Sequence, residues 1–191
     1  MRHRTKVNLL IVLGSLLLLA TSGSVAYFVA TNTAKNIVST AKNVNIELYE
    51  LAGPSEIQPL NDIENVTPGV TYSKIPYAEN AGVEPVWLRA KLTLNRTQNG
   101  EETTFPDPTS LLELGNLGEN WTLSPDGFYY YAPSLSSGES SEPIFQTIKL
   151  KEGLDEAYAD ATFSFIIKIE ATQVKNNGSS PLEASWTAEG E

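Results

Sequence analysis

The stretch Val86-Trp87-Leu88-Arg89-Ala90-Lys91-Leu92-Thr93-Leu94 decides the fold. Val86, Leu88, Ala90, Leu92 and Leu94 occupy every second position, with Trp87, Arg89, Lys91 and Thr93 between them. Successive side chains of a strand point to opposite faces, so a period of two describes a strand with one face on a core and one toward water. The pattern returns at Phe163, Phe165, Ile167, Ile169 and Ala171, against Ser164, Ile166, Lys168, Glu170 and Thr172, and in short form at Val44, Ile46 and Leu48. Further strands are expected at Phe128 to Tyr131 and at Ile144 to Leu150.

Between these runs lie Thr67-Pro68-Gly69, Asn99-Gly100, Pro125-Asp126-Gly127, Ser136-Ser137-Gly138 and Asn176-Asn177-Gly178. Turn chemistry at that density predicts an all-β antiparallel sandwich. One or two short helices are expected beside it. The first spans Thr109 to Leu114, with Asp107 as cap, Pro108 where no hydrogen bond is required and Gly115 as stop; the second lies near Leu154 to Tyr158.

Upstream of the sandwich, a cationic start (Arg2, His3, Arg4, Lys6) precedes an apolar run from Leu9 to Ala20, the pattern of a secretory signal. Ser24 and Ala26 are small residues at the spacing a signal peptidase reads, so cleavage is expected between Ala26 and Tyr27. The alternative, an uncleaved anchor from Leu9 to Ala30, would place Thr21-Ser22-Gly23-Ser24 inside a bilayer. The expected organisation is thus a signal peptide at 1–26, an N-terminal arm at 27–42, one β-sandwich domain at 43–187 and an acidic tail at 188–191.

Loss of residues 1–26 takes Arg2, Arg4 and Lys6 from the 13 basic residues and nothing from the 23 acidic ones, leaving a net charge of about −13. Such a surface repels nucleic acid and anionic lipid. About 165 residues suffice for one core. The chain has no cysteine, so no disulfide holds an exported fold together, a usage that suits Gram-positive secretion. The only histidine, His3, lies in the signal. Without histidine or cysteine, the remaining chain lacks a Ser-His-Asp or Cys-His nucleophile pair and the usual zinc ligands. No metal, cofactor or catalytic residue is expected.

Paired carboxylates at Glu101-Glu102, Glu139-Glu142 and Asp155-Glu156 are the remaining route to hydrolysis, but they sit in polar, loop-like surroundings where a carboxylate keeps its ordinary pKa. Glu152, Asp155, Glu156 and Asp160 could meet calcium, although no glycine-centred loop with alternating ligands accompanies them. Phe128-Tyr129-Tyr130-Tyr131 offers Tyr129 and Tyr131 as a candidate aromatic surface for glycan or peptide. The competing reading sends alternate rings of this run into the core, where aromatic pairs stabilise a sheet.

Taken in order, several segments resemble the TasA/camelysin family of exported Gram-positive proteins. Val25-Ala26-Tyr27-Phe28 is similar to its cleavage region, Asn43-Val44-Asn45-Ile46-Glu47-Leu48 to its first core strand and Trp87-Leu88-Arg89-Ala90-Lys91 to the next. Trp121, Asp126-Gly127-Phe128-Tyr129-Tyr130-Tyr131, Leu135, Gly138-Glu139 and Pro143-Ile144-Phe145 resemble its tyrosine hairpin, and Glu170-Ala171-Thr172-Gln173 its final strand. Lys42 departs from the pattern, standing where a glycine is expected. The resemblance implies a jelly-roll-like sandwich, export through an endoplasmic-reticulum-type signal peptidase, and a place in the extracellular biofilm matrix or at the cell surface. Camelysins have been classed as metallopeptidases, a role this chain lacks the His-Glu-x-x-His to support.

The leading expectation is therefore a secreted structural protein, not an enzyme, that associates with itself or with matrix proteins and meets the membrane only through an uncleaved signal. Phe28, Ala30, Asn32, Ala34 and Asn36 alternate with Val29, Thr31, Thr33 and Lys35 and form a candidate assembly strand, donated to a neighbour or paired within its own sandwich. A monomeric module gripping glycan or peptide is the second expectation, and a camelysin-like peptidase a remote third. Covalent wall attachment is not expected from the segment Glu183 to Glu189.

Overall fold

The computed structural model describes residues 44–51, 68–154, 158 and 161–186, with the backbone alone at Tyr27–Phe28 and Ile57–Gln58. In chain order the strands are β1 (Tyr27–Phe28), β2 (Ile46–Leu51), β3 (Ile57–Gln58), β4 (Thr71–Ser73), β5 (Pro76–Asn80), β6 (Val86–Gln98), β7 (Glu101–Phe105), β8 (Leu112–Gly115), β9 (Trp121–Leu123), β10 (Tyr129–Leu135), β11 (Thr147–Leu150) and β12 (Thr162–Gln173). They build an all-β antiparallel sandwich, as the alternation predicts.

The first layer runs β1-β12-β6-β10-β9. Along one edge of β6, β12 pairs from Val86 to Thr97; the other edge is shared by β10 at Val86 to Ala90 and β7 at Leu94 to Gln98. The second layer contains β3-β2-β5 and β4-β11-β8. Backbone bonds from Asn80 N to Glu139 O (2.9 Å), Ser141 N to Ala78 O (2.8 Å), Ile144 N to Pro76 O (2.8 Å) and Lys74 N to Gln146 O (3.0 Å) join these two pieces. Residues 139–150 thus run beside 71–80 as one long, irregular pairing. Among the described strands every pairing is antiparallel except that of β1 with β12.

The alternating positions do what their period dictates. Leu88, Ala90, Leu94, Phe163 and Phe165 face inward from the first layer and meet Ile46, Leu48, Leu112 and Ile148 from the second in one core. Phe145 and Phe165 bridge the layers with ring centroids 5.7 Å apart. Each such side chain contributes about 1.5–3 kcal/mol by leaving water.

Asn99 and Gly100 close the β6–β7 hairpin with φ of 54° and 81°, and Gln98 pairs directly with Glu101. A two-residue turn with both φ positive matches strand twist, and Asn-Gly tolerates it best. Gly69, Gly127, Gly138 and Gly178, from the other four turn signals, also have positive φ.

The helix expected at Thr109 to Leu114 is replaced by a 3₁₀ turn, Pro108–Ser110, followed at once by β8. The start signals work as read, for the Asp107 carboxylate accepts from Thr109 N at 2.9 Å. Six residues, however, are too few to offset helix nucleation. The chain instead pairs Leu112 to Gly115 with β11. Of Leu154–Tyr158 only the two end residues are described, neither in an α-helix.

Among the described residues four polar side chains are buried, those of Glu50, Lys74, Asn80 and Ser141. Lys74, 1% exposed, lies 3.1 Å from the Glu50 carboxylate. Asn80 is wholly buried; its side-chain amide donates to Glu84 O (2.9 Å) and Leu135 O (3.0 Å), and its carbonyl accepts from Gly82 N (3.0 Å). That one amide fastens β5, the loop to β6 and the end of β10.

Candidate functional site

The candidate assembly edge belongs to β12. β6 takes one side of this strand from Thr162 to Gln173. On the other side, among the described residues, only Tyr27 and Phe28 pair, in parallel, opposite Thr162 and Phe163. Ser24, Ala26, Ala30, Asn32, Ala34 and Asn36 lie outside the described residues, as do Lys42, Asp155, Glu156, Asp160 and the tail from Ala188. At the start of the arm, the backbone of Tyr27 and Phe28 thus lies along β12 of its own chain.

Tyr129 and Tyr131 require a correction. They are each 5% exposed and belong to the core, so they offer no aromatic platform. Alternation along β10 turns both inward, where Tyr131 packs on Trp121 at 5.0 Å and its hydroxyl accepts from Glu142 N at 3.3 Å. Burial pushes both phenols above their ordinary pKa, with the Asp107 charge adding to the effect on Tyr129. Tyr129 does line a cavity of ≈ 340 Å³ with Leu92, Pro106, Asp107, Pro108 and Leu123.

The carboxylate pairs come apart as well. Glu101 and Glu102 are neighbours on exposed β7 and project to opposite faces. Glu139 accepts from Ser136 N at 2.7 Å to close a turn, whereas Glu142 holds the Asn120 amide at 2.6 Å. Among the described residues no three His, Cys, Asp or Glu side chains gather where they could hold a metal. No helix among them is long and apolar enough to cross a membrane.

The densest polar network lies on the outer face of the first layer. Register places Arg89 of β6 opposite both Glu170 of β12 and Tyr130 of β10. Its Nε donates to Glu170 Oε2 at 2.7 Å and a terminal nitrogen approaches the same oxygen at 2.5 Å. The guanidinium stacks between Phe128, 3.9 Å away, and Trp186, 4.5 Å away. Lys168 Nζ binds Glu170 Oε1 at 2.6 Å, and Tyr130 donates to Asp126 at 2.7 Å. Asn177 clasps the C-terminal segment to β12, donating to Thr172 Oγ1 at 2.8 Å and accepting from Ser185 N at 2.7 Å. Sequence reasoning missed this hub. Its signal was an arginine and a glutamate on the outer positions of the two most regular strands.

Burial opposes ionisation of Glu170, but hydrogen bonds from Lys168 and Arg89 and the arginine charge outweigh it, so its carboxyl titrates below the usual range. Asp126 is lowered too: partial burial opposes ionisation, and bonds from Tyr130, Phe128 N and Ser124 overcome it. A carboxylate depressed in the fold stabilises it above the unfolded pKa, about 3.9–4.3, and loses that contribution as pH falls through the folded value. Stability from pH 7 to pH 3 is therefore expected to decline below about pH 4. In Glu170→Gln that acid limb should be shallower, as read by urea unfolding at each pH.

No family model, no curated protein and no solved structure matches this chain.

Proposed function

We propose that this chain is a secreted structural protein of the extracellular matrix or cell surface, related to the TasA/camelysin proteins and released by a signal peptidase after Ala26. It performs no catalysis and assembles through its N-terminal arm. The observation that carries this reading is the parallel pairing of Tyr27–Phe28 on the outer edge of β12. That edge accepts an extended segment from the arm. An arm that pairs with its own β12 in the monomer can pair with a neighbour's, exchanging like for like, head to tail. Each added backbone bond contributes about 1 kcal/mol net, so several are needed to offset the ordering of the arm.

Electron microscopy of the secreted protein, with and without residues 27–41, tests this. Fibres are expected from the full secreted form and none from the truncated form, which stays soluble. A second reading, a monomeric module for glycan or peptide, draws support from the cavity beside Tyr129, whose volume falls in the range of small-ligand sites. It takes the place of the first if the truncated protein still forms fibres or the intact one never does.

A further inference from the structure

The first layer forks along one edge of β6. There the ladder with β10 ends at Ala90, opposite Tyr129, and the ladder with β7 begins at Leu94, opposite Phe105. Lys91, Leu92 and Thr93, between the two, have no strand partner on that side among the described residues. The chain leaving β7 runs through Pro106-Asp107-Pro108, and the chain entering β10 runs through Ser124-Pro125-Asp126-Gly127. Proline has no N–H to give a ladder, so these segments extend neither pairing into the gap. The cavity of ≈ 340 Å³ lies at this fork, walled by Leu92, Leu123, Pro106, Pro108, Pro125 and Tyr129.

Both rims are held in place. Asp107 caps the 3₁₀ turn at Pro108–Ser110, while bonds from Ser124 N to Phe128 O and from Gly127 N to Ser124 O, each 2.8 Å, brace the other side. Leu92 is 1% exposed and Leu123 52%, so the cavity runs from an open mouth at Leu123 to an inner end at Leu92. Tyr129 is nine-tenths buried, and its hydroxyl makes no hydrogen bond among the described residues. Unlike the sealed Tyr77 hydroxyl, however, it keeps accessible surface. On a residue that lines the cavity, an unpaired hydroxyl that solvent still reaches opens into it, and buried polar groups are nearly always satisfied. The Asp107 carboxylate lines the same cavity. Its Oδ1 accepts from Thr109 N at 2.9 Å and from Thr109 Oγ1 at 2.6 Å, which leaves Oδ2 for a ligand.

We infer that this cavity receives the side chain of a tyrosine on a partner peptide, an inference that rests on the second reading above and names its ligand. The volume stands at the low end of small-ligand sites, about 300–1,000 Å³, which is room for one side chain. Leucine and proline walls call for an apolar body, and proline rings pack well against the flat face of an aromatic one. The two polar groups call for a hydroxyl at its tip. Asp107 only accepts, whereas the Tyr129 hydroxyl both donates and accepts, and a phenol answers each of them. Phenylalanine would leave both without a partner. A sugar, polar all round, would need more partners than these walls supply, since Ser124 already bonds to Asp126.

The test is an NMR titration of the whole secreted protein with N-acetyl-tyrosine amide, using N-acetyl-phenylalanine amide, N-acetyl-leucine amide and maltose as comparators. Tyrosine amide is expected to shift the Leu92 and Leu123 methyl signals and the Tyr129 ring signals saturably, with a dissociation constant of about 1 mM, a value suited to one isolated side chain. Phenylalanine amide should bind about tenfold more weakly, for want of the bond to the carboxylate. Tyr129→Phe keeps the ring in the core and should weaken tyrosine amide by roughly fivefold while leaving phenylalanine amide unchanged. Leu123→Arg, at an exposed position, should fold normally and abolish binding by filling the mouth. The assignment is overturned by absence of saturable shifts, by an equal response to phenylalanine or leucine amide, or by binding that survives Leu123→Arg. Saturable shifts confined to other residues, or a response to maltose alone, also overturn it while leaving the binding-module reading in place; silence toward every probe removes both.

Discussion

Phe165→Ala is expected to lower stability by about 3–5 kcal/mol, the usual loss for emptying a buried phenylalanine site. Phe165 is 2% exposed in the first third of β12, and its ring is the first-layer half of the contact with Phe145. The void would open between the layers, against the continuous β6–β12 ladder, which cannot collapse into it. At about 2–4 °C per kcal/mol, the melting temperature should fall by roughly 10 °C. No cysteine is present to hold the weakened sandwich by a disulfide. Phe145→Ala should cost a similar amount, and the double variant less than the sum of the two, because both lose the same contact. Urea unfolding of the three variants measures it. A loss below about 1 kcal/mol for Phe165→Ala would mean that the layers do not pack through these rings.

Asn80→Asp should do comparable damage with almost no change in shape. The substitution replaces the two N–H donors that reach Glu84 O and Leu135 O with an acceptor, and places a carboxyl where exposure is zero. The buried Leu135 carbonyl loses its partner, at about 1–3 kcal/mol, the part-buried Glu84 carbonyl loses its own at a smaller cost, and a charge would have to leave water. The carboxyl would therefore stay protonated to an unusually high pH. With its folded pKa raised, the destabilisation should be greatest at neutral pH and ease as pH falls through that value. Asn80→Ala serves as comparison, since it breaks the same bonds but carries no titrating group. If the Asp and Ala variants show the same loss at every pH from 4 to 8, the clamp is not as dry as its burial indicates.

The longest strands were the most legible, for a physical reason. β6 and β12 are long enough for the period of two to repeat several times, and both lie with one face on the core. β5, Pro76-Tyr77-Ala78-Glu79-Asn80, escaped notice because proline, alanine, glutamate and asparagine are poor strand formers and only its pairing with β2 and with residues 139–144 makes it extended. β8 was mistaken for helix because its entry carries helix-start chemistry. The edge of β12 was visible as a strand but not as an edge, since nothing local says which side a neighbour leaves open. The Arg89 hub depends on register between strands 81 residues apart, as in the Arg89–Glu170 bond. Tyr129 and Tyr131 show the reverse case, where alternation already pointed inward and the attraction of a tyrosine run pulled the reading outward.

The longest ladder in the molecule, β6 against β12, also governs when the chain can fold. It joins Val86–Thr97 to Thr162–Gln173, whose Phe163, Phe165, Ile167, Ile169 and Ala171 complete a core begun at Val44. Loop-closure entropy must be met before such distant pairings give anything back, which makes acquisition of structure slow relative to a helical protein of this size. A chain whose β12 is not yet free to pair therefore holds an unfinished sandwich whose inner faces are bare. The wiring keeps the two layers open until β12 is free, and it leaves an interval in which unpaired strands are exposed to one another.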